Sequence, residues 1–492
     1  MSFTYKTSVM AAAASLALTA CSFGPSGEPP AMPSPGHYGA QAQPSKTVAA
    51  GGVVQTFDVG ATPVTQWWRL YRSDALDALV DEGLRNSPTL AATQRTLAAA
   101  QEELRAQIGA STLPSIDGAV QVERARSPVV PGLGPEQVQY NFFAGQLLAH
   151  YTFDLFGQTR YMNSASAARV NVQAFELEAS RRALAANIAG TAINVAALDR
   201  QIALSERLVA VSSDAANEDQ QRYALGSVSR AQALASKQDA AAIAATLPAL
   251  RQQRASAVHA LAVLMGRTPD NAPGVPDLDS LSLPEHVPVA VPSDLLRSRP
   301  DIQAADAAVK AAAADVGAAT AQLFPSLSLT GSMGRGGFSW PAVLSGAGGL
   351  WAIGAGLSQP IFHGGALFAQ RRASIDAYDA AVLHYRSTVL SAFQDVANSL
   401  AALDNDAQTL ASTEVAADAA RAAFDDTASR HRMGSLPSAA THASESRYLN
   451  AQIGAVRAAS QRMSDTAALF QAMGELPADQ KAASTSMSTS TQ

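Results

Sequence analysis

The pattern of apolar and polar positions divides the chain into very long helical runs and short alternating ones. From Gln158 to Leu225 and again from Ala366 to Met433 no proline interrupts the helical register. At ~1.5 Å per residue each run spans roughly 100 Å of helix. Gly226 and Gly434 stand at the ends of these runs, where a glycine readily stops a helix, and a second helical run follows each. Elsewhere the period changes to two. Ile116, Gly118, Val120 and Val122 fall on one face, and Asp117, Ala119, Gln121 and Glu123 on the other. From about 138 to 155, Phe143, Leu147, Tyr151 and Phe153 share a face with Gly145 and Ala149, opposite Gln146, His150 and Thr152. Leu327, Leu329 and Met333 oppose Ser326, Ser328, Thr330 and Ser332, and Trp351, Ile353, Ala355 and Leu357 oppose Gly354, Gly356 and Ser358. This alternation predicts four strands, each with one apolar face. Two isolated hairpins would be marginal. Either they pack as a small soluble sandwich, or they turn the apolar face to lipid as part of a membrane barrel. Four strands cannot close a barrel, so the second solution needs several chains.

The same order of elements occurs twice. Asn86-Ser87-Pro88 corresponds to Ser298-Arg299-Pro300, and Leu113-Pro114-Ser115-Ile116 to Phe324-Pro325-Ser326-Leu327. Arg222 through Ser227 answers to Arg430 through Ser435, and Leu264-Met265-Gly266 to Ala472-Met473-Gly474, both 208 positions on. Alanine-rich helices resemble one another by chance, but chance does not keep the proline and glycine punctuation in register. A whole structural unit is therefore duplicated. The expected organisation is a first repeat over 65–266, an equatorial linker over 267–292, a second repeat over 293–474 and a flexible tail over 475–492.

Residues 1–20 carry Lys6, a short apolar stretch from Val9 to Ala20, and then Cys21. The stretch is too short to span a bilayer and reads as a signal peptide. Leu18-Thr19-Ala20-Cys21 resembles a bacterial lipobox, which implies a covalent lipid on Cys21; an ordinary signal peptide is the alternative. Ser22, rather than Asp, follows the cysteine, and in bacterial lipoproteins that implies onward transport to the outer membrane. Residues 21–64, rich in Pro, Gly, Ala and Ser, are expected to form a lipid-anchored tether with little structure of its own.

Composition narrows the function. Only 15% of residues are charged and the formal net charge is −6, which argues against a nucleic-acid partner. With one cysteine there is no internal disulfide and no cysteine-based zinc site. No metal-ligand spacing or nucleophile motif emerges, and Gly331 to Gly337 reads as a hairpin loop rather than a phosphate loop. No cofactor and no enzymatic activity are expected. Trp67, Trp68, Trp340 and Trp351 are candidate packing anchors, the last two also candidate membrane-interface aromatics.

With Trp67-Trp68-Arg69-Leu70-Tyr71, Asn86-Ser87-Pro88, the run Pro292 to Ile302 and Phe324-Pro325-Ser326-Leu327 in hand, the chain resembles TolC-like outer membrane factors, in their lipidated NodT-like branch. The resemblance covers nearly all of 65–475. It implies a mixed α/β membrane protein: a homotrimer with a 12-strand outer-membrane β-barrel, four strands per chain, continued by a long periplasmic α-helical barrel. It further implies a passive export duct of a tripartite efflux pump, working with a periplasmic adaptor (membrane fusion) protein and an inner-membrane RND-type transporter. Ducts for type I secretion or metal efflux, and a lipid-anchored coiled-coil scaffold, remain alternatives. The helix turns at Gly226 and Gly434 would form the periplasmic tip. Family members close this tip with aspartates, but here Ala443 stands at the corresponding place. Arg222, Arg230, Arg430, Glu445 and Arg447 are the candidate closing links; read blandly, they are solvated surface charges worth little each.

Overall fold

The computed structural model describes residues 23–33, 36–39, 44–61, 64–126, 139–345 and 348–474. In chain order the elements are β1 (Thr56–Val59), a 3-10 turn at Trp67–Tyr71, α1 (Asp74–Asn86), α2 (Pro88–Thr112), β2 (Ser115–Arg126), β3 (Gln139–Phe153) and α3 (Gln158–Ala224). They continue with α4 (Arg230–Ala244), α5 (Thr246–Leu264), β4 (His286–Val289), α6 (Pro292–Ser298) and α7 (Pro300–Ala321). The last are β5 (Ser326–Gly337), α8 (Trp340–Leu344), β6 (Gly349–Ser358), α9 (Ala366–Arg432) and α10 (Ser438–Met473). The two long helical runs are thus single helices of 67 residues each. The return leg is unbroken in the second repeat, whereas in the first it is interrupted at Ala245, close to Pro248. Cys21, the signal segment 1–20 and the tail 475–492 lie outside the described residues.

The chain forms two compact units. The first holds Thr96–Ala174, Ala304–Arg386 and the described part of Met1–Ala31. Its centre is one antiparallel sheet in the order β2-β3-β5-β6, so the two predicted hairpins are joined edge to edge. The register aligns their apolar faces. Val120 pairs with Gly145 and Gly118 with Leu147; Leu147 pairs with Met333 and Tyr151 with Leu329; Met333 pairs with Trp351 and Gly331 with Ile353. The other face carries Asp117, Gln121, Gln146, His150, Ser328, Thr330 and Ser332, along with Leu148 and Leu350. Among the described residues nothing covers the apolar face: Val120 is 81% exposed, Trp351 79% and Ile353 75%. On β3 this face runs from Phe143 to Phe153. That is ~33 Å along the strand, and at a tilt of roughly 40° it spans about 25 Å, the height of an outer-membrane apolar band.

The strands hand over to helices through local caps. The Asp154 carboxylate accepts the amides of Thr159 and Arg160 at 3.1 and 2.9 Å, closing the start of α3. Phe156 and Phe324, on two such junctions, stack with centroids 5.0 Å apart. Phe23 packs on Phe324 at 4.6 Å, and its amide donates to the Tyr161 hydroxyl at 3.0 Å.

The second unit holds Met32–Arg95, Phe175–Gln303 and Ser387–Gln492, as far as these are described. The expectation of a tether without structure fails for residues 44–61. β1 pairs in parallel with β4, Thr56 opposite His286, so the expected linker 267–292 contributes a strand to a small sheet. The loop before β1 wraps the Arg462 side chain, which is 1% exposed. Composition alone could not reveal this docking, because the group that organises the loop lies some 400 residues downstream. Trp67 stacks on Phe470 with centroids 5.5 Å apart, and the Tyr71 hydroxyl donates to the Met463 carbonyl at 2.6 Å, so Trp67 acts as a packing anchor.

The duplicated motifs form the same joint twice. Gly266, at φ +71°, lies so close to Asn86 that an added Cβ would sit 2.5 Å from its carbonyl oxygen; Gly474, at φ +74°, stands in the same relation to Ser298. Only glycine offers both the left-handed backbone and the space. In the second joint Arg299 adds bonds to Asp301 at 2.7 Å, Asp395 at 3.1 Å and the Ala472 carbonyl at 3.1 Å. This accounts for the Arg-Pro-Asp run.

The exposed apolar face makes one prediction. On the expectation of a shared barrel in the outer membrane, Ile353→Asp places a carboxylate against lipid and should sharply reduce the trimer recovered from outer membranes, whereas Thr330→Asp on the opposite face should be tolerated. Equal recovery of the two variants, by gel mobility before and after heating, would contradict the assignment of faces.

Candidate functional site

Both long helices end in the same way. At the end of α3 the Ser227 amide donates to the Arg222 carbonyl at 2.8 Å and Gly226 to Tyr223 at 2.9 Å; after α9, Ser435 donates to Arg430 at 2.9 Å and Gly434 to His431 at 2.8 Å. Gly226 and Gly434 adopt φ of +73° and +76°. This is the Schellman arrangement, in which a left-handed residue lets two amides satisfy the last free carbonyls. Ser229 then caps α4 by accepting the Gln232 amide at 3.1 Å.

Within the second unit α3 packs against α10 through Leu208, Val211, Leu449 and Ile453. Polar links flank this small apolar patch. Arg207 donates through Nε and Nη2 to one Glu445 oxygen at 2.9 and 2.6 Å, and the Glu445 side chain is only 12% exposed. Nearer the turn, Glu218 accepts the Ser438 hydroxyl and lies 3.6 Å from His442 Nε2. Asp219 accepts the Ser236 hydroxyl, linking α3 to α4. Thr427 on α9 and Ser444 on α10 share a hydroxyl contact.

The five candidate closing residues fall into separate surroundings. Arg222 pairs along its own helix with Asp219 at 3.6 Å, and Arg430 with Asp426 at 3.1 Å. Arg447 is exposed and donates to the Ala443 carbonyl at 3.2 Å, one turn back. Arg230 is exposed at the start of α4. Of the five, Glu445 makes an ion pair to another helix within the described chain. Its partner Arg207, and the residues Glu218 and Ser438, were missed by sequence reasoning. Arg207 sits mid-helix and Glu218 before the turn, so no local motif marks either.

A second polar centre lies where the loop before β1 meets α10. Arg462 donates from Nη1 to the Ala50 carbonyl at 2.8 Å, from Nε to Gln55 at 3.0 Å and from Nη2 to Thr47 at 3.1 Å. Gly51 donates to Glu414 at 3.0 Å. Asp406 beside it is pushed up to about 7, first by burial and then by the adjacent Asp465, with Arg462 opposing. No group of three or more His, Cys, Asp or Glu able to hold a metal occurs among the described residues.

A sheet with one bare apolar face and two unpaired edges, joined to long helices that end in glycine turns, defines the chain as one subunit of a shared membrane barrel with a helical extension. The comparisons with known proteins agree. The family model described as outer membrane efflux protein matches residues 79–267 and 291–475, one segment per repeat, and the chain belongs to that family. Outer membrane protein OprJ of Pseudomonas aeruginosa is 31% identical over 406 residues, 79% of each chain. Nodulation protein T of Rhizobium leguminosarum bv. trifolii is 26% identical over 80% of this chain and 82% of its own. The Campylobacter jejuni CmeC outer membrane channel superposes with a TM-score of 0.81 at 19% identity, over 95% of this chain and 98% of its own. The fold is the trimeric outer-membrane β-barrel continued by a helical barrel. The protein is an outer-membrane channel of a tripartite efflux pump, with a large periplasmic portion.

Asp406, buried beside Asp465, sets a pH dependence. A folded-state value near 7, above the 3.8 of the free carboxyl, means that folding takes up a proton. The associated stability is present below pH ~4 and is lost as pH rises through 7. Asp406→Asn, which cannot ionise, should therefore melt higher than the parent at pH 8, by about 2 °C or more, with the gap closing toward pH 4. A gap that widens on acidification would reverse this sign.

Proposed function

We propose that the channel works with a periplasmic adaptor protein and an inner-membrane RND-type transporter, and that its helix turns at Gly226 and Gly434 form the end that the adaptor engages. The supporting observation is the polar, sparsely packed set of links around those turns: Arg207–Glu445, Glu218–His442 and Asp219–Ser236. Such links can be exchanged for intermolecular ones at little net cost, unlike an apolar core. Transport through the duct is passive, and the transporter supplies the energy. Cysteines introduced at Ser227 and Ser435 should crosslink to the adaptor in cells expressing all three components, and drug resistance should require all three. Full resistance without an adaptor would refute the partnership.

The resting channel is closed by links among Arg222, Arg230, Arg430, Glu445 and Arg447, to which the geometry adds Arg207 as the partner of Glu445. The exposed Arg230 and Arg447 are available to neighbouring copies, and Ala443 leaves the tip without the usual carboxylate. Glu445→Ala frees Arg207 and should raise both the conductance of the purified trimer in planar bilayers and the entry of a bulky glycopeptide antibiotic, each by about twofold or more. Unchanged conductance and entry would leave these residues as solvated surface charges.

Cys21 carries a covalent lipid in this reading, and Phe23, two residues on, is held among Phe156, Phe324 and Tyr161 beside the strand–helix junctions. An intact mass of the same purified preparation that corresponds to a chain beginning at Cys21 plus acyl groups is the expected result. An unmodified mass would exclude the anchor.

A further inference from the structure

The apolar face of the β2-β3-β5-β6 sheet ends in cations. The β2–β3 ladder closes with the pair Arg126↔Gln139, preceded on the same face by Arg124↔Asn141. The β5–β6 ladder closes with Arg335↔Gly349. All three arginines alternate onto the face that carries Val120, Val122, Leu329 and Met333, and all three are exposed. Arg335 is flanked across the sheet by Gly145 and Gly349, which leave its side chain uncrowded. It donates one bond, from Nη1 to the Leu344 carbonyl at 3.1 Å. A guanidinium has five donors, so most of its capacity is unused.

Elsewhere the arginines of this chain commonly lie within ion-pair distance of a carboxylate, as with Arg169–Asp315, Arg254–Asp199 and Arg267–Glu82. Among the described residues Arg124, Arg126 and Arg335 have no such partner. Their placement also repeats: Arg124 follows Pro114 by ten residues, and Arg335 follows Pro325 by ten. The two halves of the chain therefore set a cation at the same place in the repeat, although across the sheet Arg335, opposite Gly145, lies four residues along β3 from Arg124, opposite Asn141. Between these two levels, opposite Val122 and Gly337, Phe143 packs on Trp340 with centroids 4.7 Å apart, so that an aromatic pair marks the boundary of the apolar band beside the cations of this rim.

The rim lies at the hairpin end of the strands, whereas α2, α3, α7 and α9 join them at the other end. Because the helices are periplasmic, the rim faces the outer leaflet. Unpaired guanidinium groups at the edge of an apolar surface meet the headgroups of that leaflet, and phosphate is the anion whose oxygens match their fork. We propose that Arg124, Arg126 and Arg335, with the amides Gln139 and Asn141 beside them, form a binding site for the phosphate groups of outer-leaflet lipid. In the trimer the two repeats of each chain would build a ring of such sites around the barrel. The proposal rests on the outer-membrane barrel.

The test uses the full-length detergent-purified trimer and native mass spectrometry. The probes are a bis-phosphorylated glucosamine-disaccharide lipid, the same lipid enzymatically stripped of phosphate, and inorganic phosphate as competitor. The parent trimer should retain the phosphorylated lipid at least fivefold more than the stripped one. The combined variant Arg124→Gln, Arg126→Gln, Arg335→Gln should lose most of that excess, and the matching lysine variant should keep more than half of it. Retention by the glutamine variant equal to that of the parent would overturn the site. So would equal retention of the two lipids by the parent. Displacement by millimolar inorganic phosphate would show a site for free anions rather than for lipid. If the glutamine variant does not assemble, the single change Arg335→Gln carries the same comparison. Absence of a trimer in the parent would instead count against the barrel itself, so the two failures are distinguishable.

Discussion

The structure depends on one constraint: a four-stranded sheet with a bare apolar face and unpaired edges on β2 and β6. In hydrocarbon every backbone amide and carbonyl needs a protein partner, and an open edge has none. Placed in water, the same sheet would expose Val120, Ile353 and Trp351 in one continuous patch, which soluble monomers rarely tolerate. The only arrangement that satisfies face and edges together is a closed barrel in lipid built from several copies. Trimerisation is therefore a condition of folding in the membrane and not a later assembly of finished monomers.

Duplication supplies the means. Two hairpins with the same polarity of faces merge into one sheet only if their alternation stays in phase, and Phe153↔Leu327 through Phe143↔Gly337 show that it does. The helical part repeats its joints with equal fidelity. Gly266 against Asn86 and Gly474 against Ser298 are one packing solution used twice, with the same left-handed glycine closing each return leg. The repeats then diverge where only one copy has a given task. Arg299 ties α10 to Asp301 and Asp395, while the corresponding Ser87 has no comparable reach.

What was legible in the chain was whatever leaves a periodic or punctuated trace. The strand faces, the two 67-residue helices, the glycine turns and the doubled proline motifs all belong to this class. The docking of 44–61 was not legible, because Thr47, Ala50 and Gln55 are ordinary loop residues until Arg462 arrives from α10. The pairing of Arg207 with Glu445 was hidden for the same reason: the contact depends on how two helices meet, which periodicity does not encode. Asp406 reads as a surface carboxylate on a polar helix, yet Asp465 and the buried setting change its protonation. Local pattern thus located the elements, and long-range contacts determined which polar groups matter.

The second unit divides into a tightly packed part and a sparsely packed part. Around Trp67, Tyr71, Leu76, Arg462 and Phe470 the side chains are almost wholly buried, and the Arg462 guanidinium is surrounded by acceptors. Toward the turns the picture reverses. In α4 only Ala233 and Ala240 are buried, and α3 meets α10 through four apolar residues bordered by ion pairs and hydroxyl contacts. Local opening requires few buried apolar contacts and exchangeable polar ones. The helix ends at Gly226 and Gly434 satisfy that requirement, and the packing around Trp67, Tyr71 and Arg462 does not. Under the proposed opening, a movement of the turns would leave the joints at Gly266 and Gly474 undisturbed, so that opening and unfolding stay separate.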